Sequence, residues 1–306
     1  MIRRGLVFLI PVLILIAGCG TDPSKNADKP IVTVTILPFR YFVEQLSGDR
    51  FDVNVLVPPG TSHHAYDPTP RQLQDLEKSK ALFINGYLGF EQTWLPKIRS
   101  NIPQLPVVDL SDGIDLITVE GSEGVPEHEA EHAGHSHEGP DPHYWLSVRE
   151  IKKLAGTMSK GLIMADPQSK QQIEKNLAIL LARLDSLDAR INEALSGMDN
   201  RSFIIFHPAL NYFARDYNLI QHSMELGGKE PTASHFRDLV DLAKNENISI
   251  IFVQKEYDQE NARALAREID AEIVSIDPMS ADWMNEMSNL KDKLIRKNKQ
   301  ADEQAD

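Results

Sequence analysis

From residue 31 onward the chain alternates short apolar runs with longer stretches in which apolar residues recur every three or four positions. Ile31–Ile36 is a β-branched run and predicts a strand. Pro38–Leu46 predicts a helix, with proline at its first position and Ser47-Gly48 at its end. Val53–Val57 predicts a second strand, Arg71–Lys78 a helix, Ala81–Asn85 a strand and Val107–Asp109 a short one. Strands separated by helical stretches imply β-α-β units and a largely parallel sheet.

Between Ser111 and Asp141 this rhythm stops, and a stretch rich in Gly, Glu and His predicts a long loop. From Gln168 to Ser196 the period is helical: Ile173, Leu177, Leu180, Leu184, Leu187, Ile191 and Ala194 keep one apolar stripe on one face. At 1.5 Å per residue these ~29 residues would span about 43 Å, more than an ordinary lobe needs internally, so the segment reads as a spine between two lobes. The alternative, a coiled-coil dimer, would rest on only four heptads. Beyond it Ser202–Phe206 predicts a strand and Pro208–Tyr217 a helix. Ser234–Asn245 predicts a helix with a serine cap, Ile248–Val253 a strand and Asn261–Ile269 a helix. Glu272–Ile276 predicts a strand and Asp282–Arg296 a last helix. The expected fold is α/β, with two lobes, each a mostly parallel sheet flanked by helices. They occupy residues 31–165 and 198–306, bridged by one long spine helix over 166–197.

The first eighteen residues change the picture of where such a chain works. Two arginines precede an apolar run from Gly5 to Gly18, shorter than the ~20 residues of a membrane span, and this order is that of a secretory signal. Ile16-Ala17-Gly18-Cys19 looks like the lipobox of bacterial lipoproteins, whose cysteine carries lipid and begins the mature chain. An uncleaved anchor helix is the alternative, disfavoured by the abrupt polar stretch that follows. Residues 19–30 contain almost no apolar side chain and read as a tether. Cys19 is the only cysteine, which excludes an intrachain disulfide and a thiolate metal site. The net charge of −13 becomes −15 once Arg3 and Arg4 are removed, a surface that repels nucleic acid and mildly favours cations.

Histidine carries the chemistry. HEAEH, residues 128–132, matches the H-E-x-x-H pattern of zinc proteases, but Pro126 and Gly134 flank it and no apolar stripe could bury such a helix. We read that match as accidental. His128, His132, His135 and His137, interleaved with acidic residues, form either an accessory metal-collecting tract or a solvated linker. Elsewhere His63-His64 follows the strand Val53–Val57 in a Pro/Gly-rich loop, and His143 lies in the stiff DPHYW segment. His207 ends the strand Phe203–Phe206, and Asp277 holds the matching place after Glu272–Ile276. Ligands of open α/β sheets bind beyond the carboxyl ends of strands, where His64, His207 and Asp277 all fall. Three imidazoles and a carboxylate suit Zn²⁺, whereas Mn²⁺ would normally take more oxygen.

The ordered set GTSHHAYDPTPRQL, NGYLGFE, DPHYWLS, FHPALNYFARDYNL and IVSIDP, with a His-rich loop just before DPHYW, resembles the substrate-binding lipoproteins of bacterial zinc/manganese ABC transporters. The likeness covers nearly all of the mature length. It implies one metal-holding histidine from each of three motifs, here His64, His143 and His207, with an acidic residue or water as the fourth ligand. Asp277 is the residue expected there. His64 is preferred to His63 because the family's ligand precedes an x-Tyr pair, matched by Ala65-Tyr66. His63, where the family often has proline, is expected as a surrogate or delivery ligand. The family fold of two α/β lobes joined by a long helix agrees with the spine reading. His222 and His235 match no ligand motif and are expected to be surface or capping residues.

The resemblance further implies Zn²⁺ as the bound ion, with Mn²⁺ as the alternative, and an ABC permease with its ATPase as partners. It implies an extracytoplasmic, monomeric chain anchored through lipid on Cys19. A single stiff helix between lobes should allow only small tilts, so release would come from modest ligand displacement. Because neutral imidazole binds metal and imidazolium does not, affinity should fall as pH drops through about 6.5. Two rivals remain at this stage: a zinc hydrolase, for which no general base is evident, and a metal buffer or adhesin that never engages a permease.

Overall fold

The computed structural model describes residues 29–62, 64, 66–119 and 139–305. The signal segment, Cys19, His63 and the loop residues His128, His132, His135 and His137 lie outside them.

Four strands, β1 (Ile31–Val34), β2 (Asp52–Val55), β3 (Ser79–Ile84) and β4 (Val107–Asp109), make an all-parallel sheet in the order β2-β1-β3-β4. Helix α1 (Leu37–Ser47) crosses from β1 to β2. Its Phe39, Phe42, Val43 and Leu46 stand three and four positions apart and are fully buried, which fixes the face it turns to the core. Gly48, at φ +59°, ends it in a conformation that side chains resist. Helix α2 (Pro70–Leu76) opens with a reciprocal Thr69–Gln72 capping box.

Two helices have no counterpart in the sequence reading, α3 (Gly89–Asn101) and α4 (Val148–Ala165). The expected loop over 111–141 also carries strand pairing at its two ends. There β5 (Thr118–Val119) pairs antiparallel with β6 (Gly139–Pro140), bracketing residues 120–138.

The second sheet repeats the first. Strands β7 (Ser202–Ile205), β8 (Ile220–Ser223), β9 (Ile250–Gln254) and β10 (Glu272–Ile276) are all parallel and run β8-β7-β9-β10. Counted along the chain, both sheets read second, first, third, fourth. Helices α6 (Asn211–Asp216), α7 (Ala233–Asn245), α8 (Glu260–Ile269) and α9 (Trp283–Ala305) flank it. The predicted helix from Pro208 therefore starts three residues late. The helix expected to be capped by Ser234 is capped by the Thr232 side chain instead. Strand β8, with Ile220 half exposed and Gln221 and His222 following, was not anticipated.

Helix α5 (Lys170–Ser196) is the spine, 27 residues and so about 40 Å long. Its Ile173, Leu180, Leu184, Leu187, Ile191 and Leu195 are buried against α1, α4 and α9 of the same chain. The stripe is thus consumed internally, which overturns the coiled-coil alternative. A second bridge crosses the lobes where α9 begins. The Trp283 ring packs on Phe42 of α1 with centroids 5.0 Å apart, and its Nε1–H donates to Trp145 O at 2.7 Å. The Trp145 Nε1–H donates in turn to Pro278 O at 2.9 Å. One continuous core runs from Phe39 through α5 to Trp283 and Met287. Among the described residues no helix is long and apolar enough to cross a membrane.

Candidate metal centre

Both sheets present their carboxyl ends to one cleft, and a buried carboxamide stands at the end of each third strand. In the second lobe this is Gln254, which closes β9. Its Nε2 donates to His207 O at 2.6 Å and its Oε1 accepts the His207 N–H at 3.3 Å, so His207, two residues past the end of β7, is pinned to the neighbouring strand. In the first lobe it is Asn85, just past β3, whose Nδ2 donates to Pro142 O at 3.0 Å. The Tyr144 hydroxyl donates back to Asn85 O at 2.7 Å. These contacts hold the short 3₁₀ turn His143–Leu146 against the sheet.

The NGYLGFE segment also seats the third histidine. A Cβ at Gly89 would lie 2.8 Å from His64 O, so the loop carrying His64 can approach α3 only because this residue is glycine. Both oxygens of Glu91 accept backbone N–H groups, from Asn85 and Gly86, and the carboxyl is fully buried. Burial pushes it up to about 7, against the lowering pull of the Thr35 hydroxyl and the two N–H groups.

His64, His143 and His207 come together: one ligand nitrogen from each lies within 4.8 Å of the others. The Nε2 atoms of His64 and His207 are 2.9 Å apart and those of His143 and His207 3.4 Å. Tetrahedral Zn²⁺ with bonds of ~2.0–2.1 Å would set its nitrogens about 3.3 Å apart. In two of the three rings the other nitrogen is committed. His143 Nδ1 faces Asp141 Oδ1 at 2.7 Å, and His207 Nδ1 faces Glu225 Oε2 at 2.6 Å. A carboxylate partner requires Nδ1–H, so in the neutral, metal-binding form of each ring Nε2 presents its lone pair. Two such lone pairs facing each other at 3.4 Å repel unless something electrophilic sits between them. The donor set therefore suits a dication, and the two buried carboxylates match its charge. Burial holds the His143 ring below its ordinary range despite the Asp141 charge, which favours the neutral form. For Asp141, burial opposes ionisation, but the hydrogen bonds donated by the His143 ring and backbone and by the Asn211 amide outweigh it, and the carboxyl sits below its usual range.

His207 is further steadied by Tyr257, stacked on it at 5.5 Å with planes 13° apart. Asp277 stands apart from the three histidines: its Oδ2 accepts from Lys255 Nζ at 2.8 Å. His222 pairs with Glu246 at 3.2 Å near the surface, and His235 Nε2 lies 3.0 Å from Ser223 O. Sequence reasoning missed the roles of Asp141 and Glu225. Asp141 had a local signal, two residues before His143. Glu225 had none, lying eighteen residues beyond His207.

Known proteins share this arrangement of sequence and fold. The chain is 30% identical over 278 residues to the high-affinity zinc uptake system protein ZnuA of Bacillus subtilis, covering 87% of this chain and 85% of that one. It is 29% identical over 271 residues to the zinc-binding lipoprotein AdcA of Streptococcus pneumoniae, covering 88% of this chain but only 53% of that longer one. A crystal structure of a zinc-bound ZnuA deletion mutant superposes with TM-score 0.78 at 36% identity, over 88% of this chain and 97% of that one. Residues 32–296 match the family described as zinc-uptake complex component A, periplasmic (ZnuA), and the chain belongs to that family.

Proposed function

We propose that Zn²⁺ is the cargo of this chain, held by the Nε2 atoms of His64, His143 and His207 and passed to an ABC permease driven by its ATPase. Family membership makes the chain a metal-binding transport component and not an enzyme. The choice of ion rests on one observation: the convergent ligand atoms are all imidazole nitrogen, two of them aimed by buried carboxylates. Zn²⁺ accepts such a set, whereas Mn²⁺ favours more oxygen. Asp277 stays with Lys255 in this reading, and water completes the coordination. The chain works as a monomer tethered through lipid on Cys19, a reading supported by the lipobox-like sequence and by the lipoprotein relative. His63 and the loop histidines His128, His132, His135 and His137 serve at most to deliver the ion.

Competition titration of the chain with Zn²⁺ and Mn²⁺ tests this. Tight Zn²⁺ binding, far weaker Mn²⁺ binding and a loss exceeding about 100-fold in His64→Ala are expected, since even outer-shell changes cost 10–100-fold. Retained Zn²⁺ affinity in His64→Ala would refute the ligand set.

A further inference from the structure

Asp141 does more than face His143, because almost every polar atom it owns is taken by a different segment. Oδ1 accepts both the His143 backbone N–H, at 2.9 Å, and the ring Nδ1–H. Its own N–H donates to Ile117 O at 2.8 Å. The remaining two acceptors, Oδ2 and the backbone carbonyl, are claimed by neighbouring residues at the start of α6, in the other lobe. Asn211 Nδ2 donates to Oδ2 at 2.8 Å, and the Tyr212 hydroxyl donates to Asp141 O at 2.7 Å.

The orientation of Asn211 is dictated, not free. The Leu210 backbone N–H can only donate, so the Gln221 oxygen must face it, at 2.8 Å. That turns Gln221 Nε2 toward Asn211 Oδ1, at 2.5 Å, and leaves the Asn211 amine pointing at Asp141. The same amine lies 3.3 Å from Pro208 O, on the residue that follows His207. One NH₂ group therefore touches both the carboxylate behind His143 and the turn that carries His207. Tyr212 completes the grip. Its hydroxyl accepts from Ile117 N at 3.1 Å while donating to Asp141 O, standing in for a ladder hydrogen bond next to the β5–β6 pair.

From this we infer that Asn211 and Tyr212 are positioning residues of the metal centre: they set the ring of His143 through Asp141 and fix its distance from His207 before the ion arrives. The inference rests on the metal-binding reading of the three histidines. It predicts that the two residues act along one arm of the site, through Asp141, and not through Glu225.

The test is Zn²⁺ competition against a chromophoric chelator on the full chain, with the thermal midpoint of the metal-stripped protein measured alongside. Asn211→Ala should weaken Zn²⁺ about tenfold, the lower end of the range for outer-shell partners. In an Asp141→Asn background the same change should add less than twofold, because its route is already broken. In a Glu225→Gln background the full tenfold should remain. Tyr212→Phe should follow the same pattern and serves where Asn211→Ala folds poorly. A merely structural role would produce equal losses in both backgrounds, tracking the thermal midpoint, and that result overturns the inference. So does unaltered affinity in both single variants. A wild-type chain that fails to bind Zn²⁺ would instead sink the metal reading itself.

Discussion

The two sheets share one strand order and one device, a buried carboxamide at the end of the third strand, yet they supply the site in different ways. In the second lobe His207 stands two residues past the end of the first strand, and Gln254 on the adjacent strand holds its backbone from both sides. In the first lobe the corresponding place after β1 is Thr35-Ile36, which offers no ligand. His143 comes instead from a separate turn much later in the chain, and is docked onto the sheet by Asn85 and Tyr144. One lobe thus builds its histidine into the sheet, while the other has to import it. An imported side chain needs more clamps: Asp141 is hydrogen-bonded to Ile117, to His143 and to the start of α6 across the lobes, whereas the contacts of Glu225, with Phe206, Ser223 and His207, stay within its own lobe.

That contrast can be broken or sharpened by measurement. The largest effect should fall on the element the lobes share. Leu184→Ala removes a fully buried side chain from α5 and should cost about 2–5 kcal/mol, seen in denaturant titration as one cooperative transition shifted whole. Two separable transitions would show that the lobes, for all their common core, fold independently.

Next is the Glu91 carboxyl beneath the first lobe's rim. Its ordinary value is 4.5 and burial raises it to about 7, so between those values the folded chain keeps a proton that the unfolded chain has released. Stability should therefore fall as pH rises across that window, by up to about 3 kcal/mol, and level off above it. Glu91→Gln should remove this slope in paired unfolding curves at pH 5 and pH 8, and an unchanged slope would place the titrating group elsewhere.

The two supporting carboxylates come third. Asp141→Asn and Glu225→Gln should each weaken Zn²⁺ by about 10–100-fold. If only the first does so, the built-in histidine needs no such support, and the difference between the lobes is larger than drawn above. The smallest effect belongs to Asp277→Ala. With its carboxylate paired to Lys255, the change should stay within about 0.5 kcal/mol, roughly twofold in affinity, as for other substitutions outside a binding set. A large loss would restore Asp277 as the fourth ligand.

The elements that were legible in the sequence are those whose apolar period is uninterrupted, such as β1, α1 and α5. Helix α4 carries a good stripe in Val148, Ile151, Leu154, Ala155, Met158 and Leu162, but Gly156 and Gly161 dilute its helical propensity. The reason for Gly161 is tertiary: a Cβ there would sit 2.6 Å from the Phe83 ring and 2.9 Å from Val108. Helix α3 hides behind Gly89 and Pro96 in the same way, and Gly89 is explained by the backbone of His64. Strand β8 is an edge with polar side chains and no period to detect. Of the site, His64, His143 and His207 were legible because each follows a strand or sits in a stiff proline-bounded segment, and because their motifs resemble a family. Glu225 was not, since nothing near it in sequence signals a contact made across the fold. Asp277 was placed by analogy of position, and in the structure its carboxylate pairs with Lys255.

The paired indoles at the seam have a mechanical consequence. Trp145 and Trp283 each donate to a backbone carbonyl that belongs to the segment of the other, in the dry region where Phe42 also packs. Prying that seam apart would strand two buried donors, at about 1–3 kcal/mol apiece, and wet an aromatic surface as well. The molecule should therefore grip its ion like a vise set to one width, not like a jaw that swings.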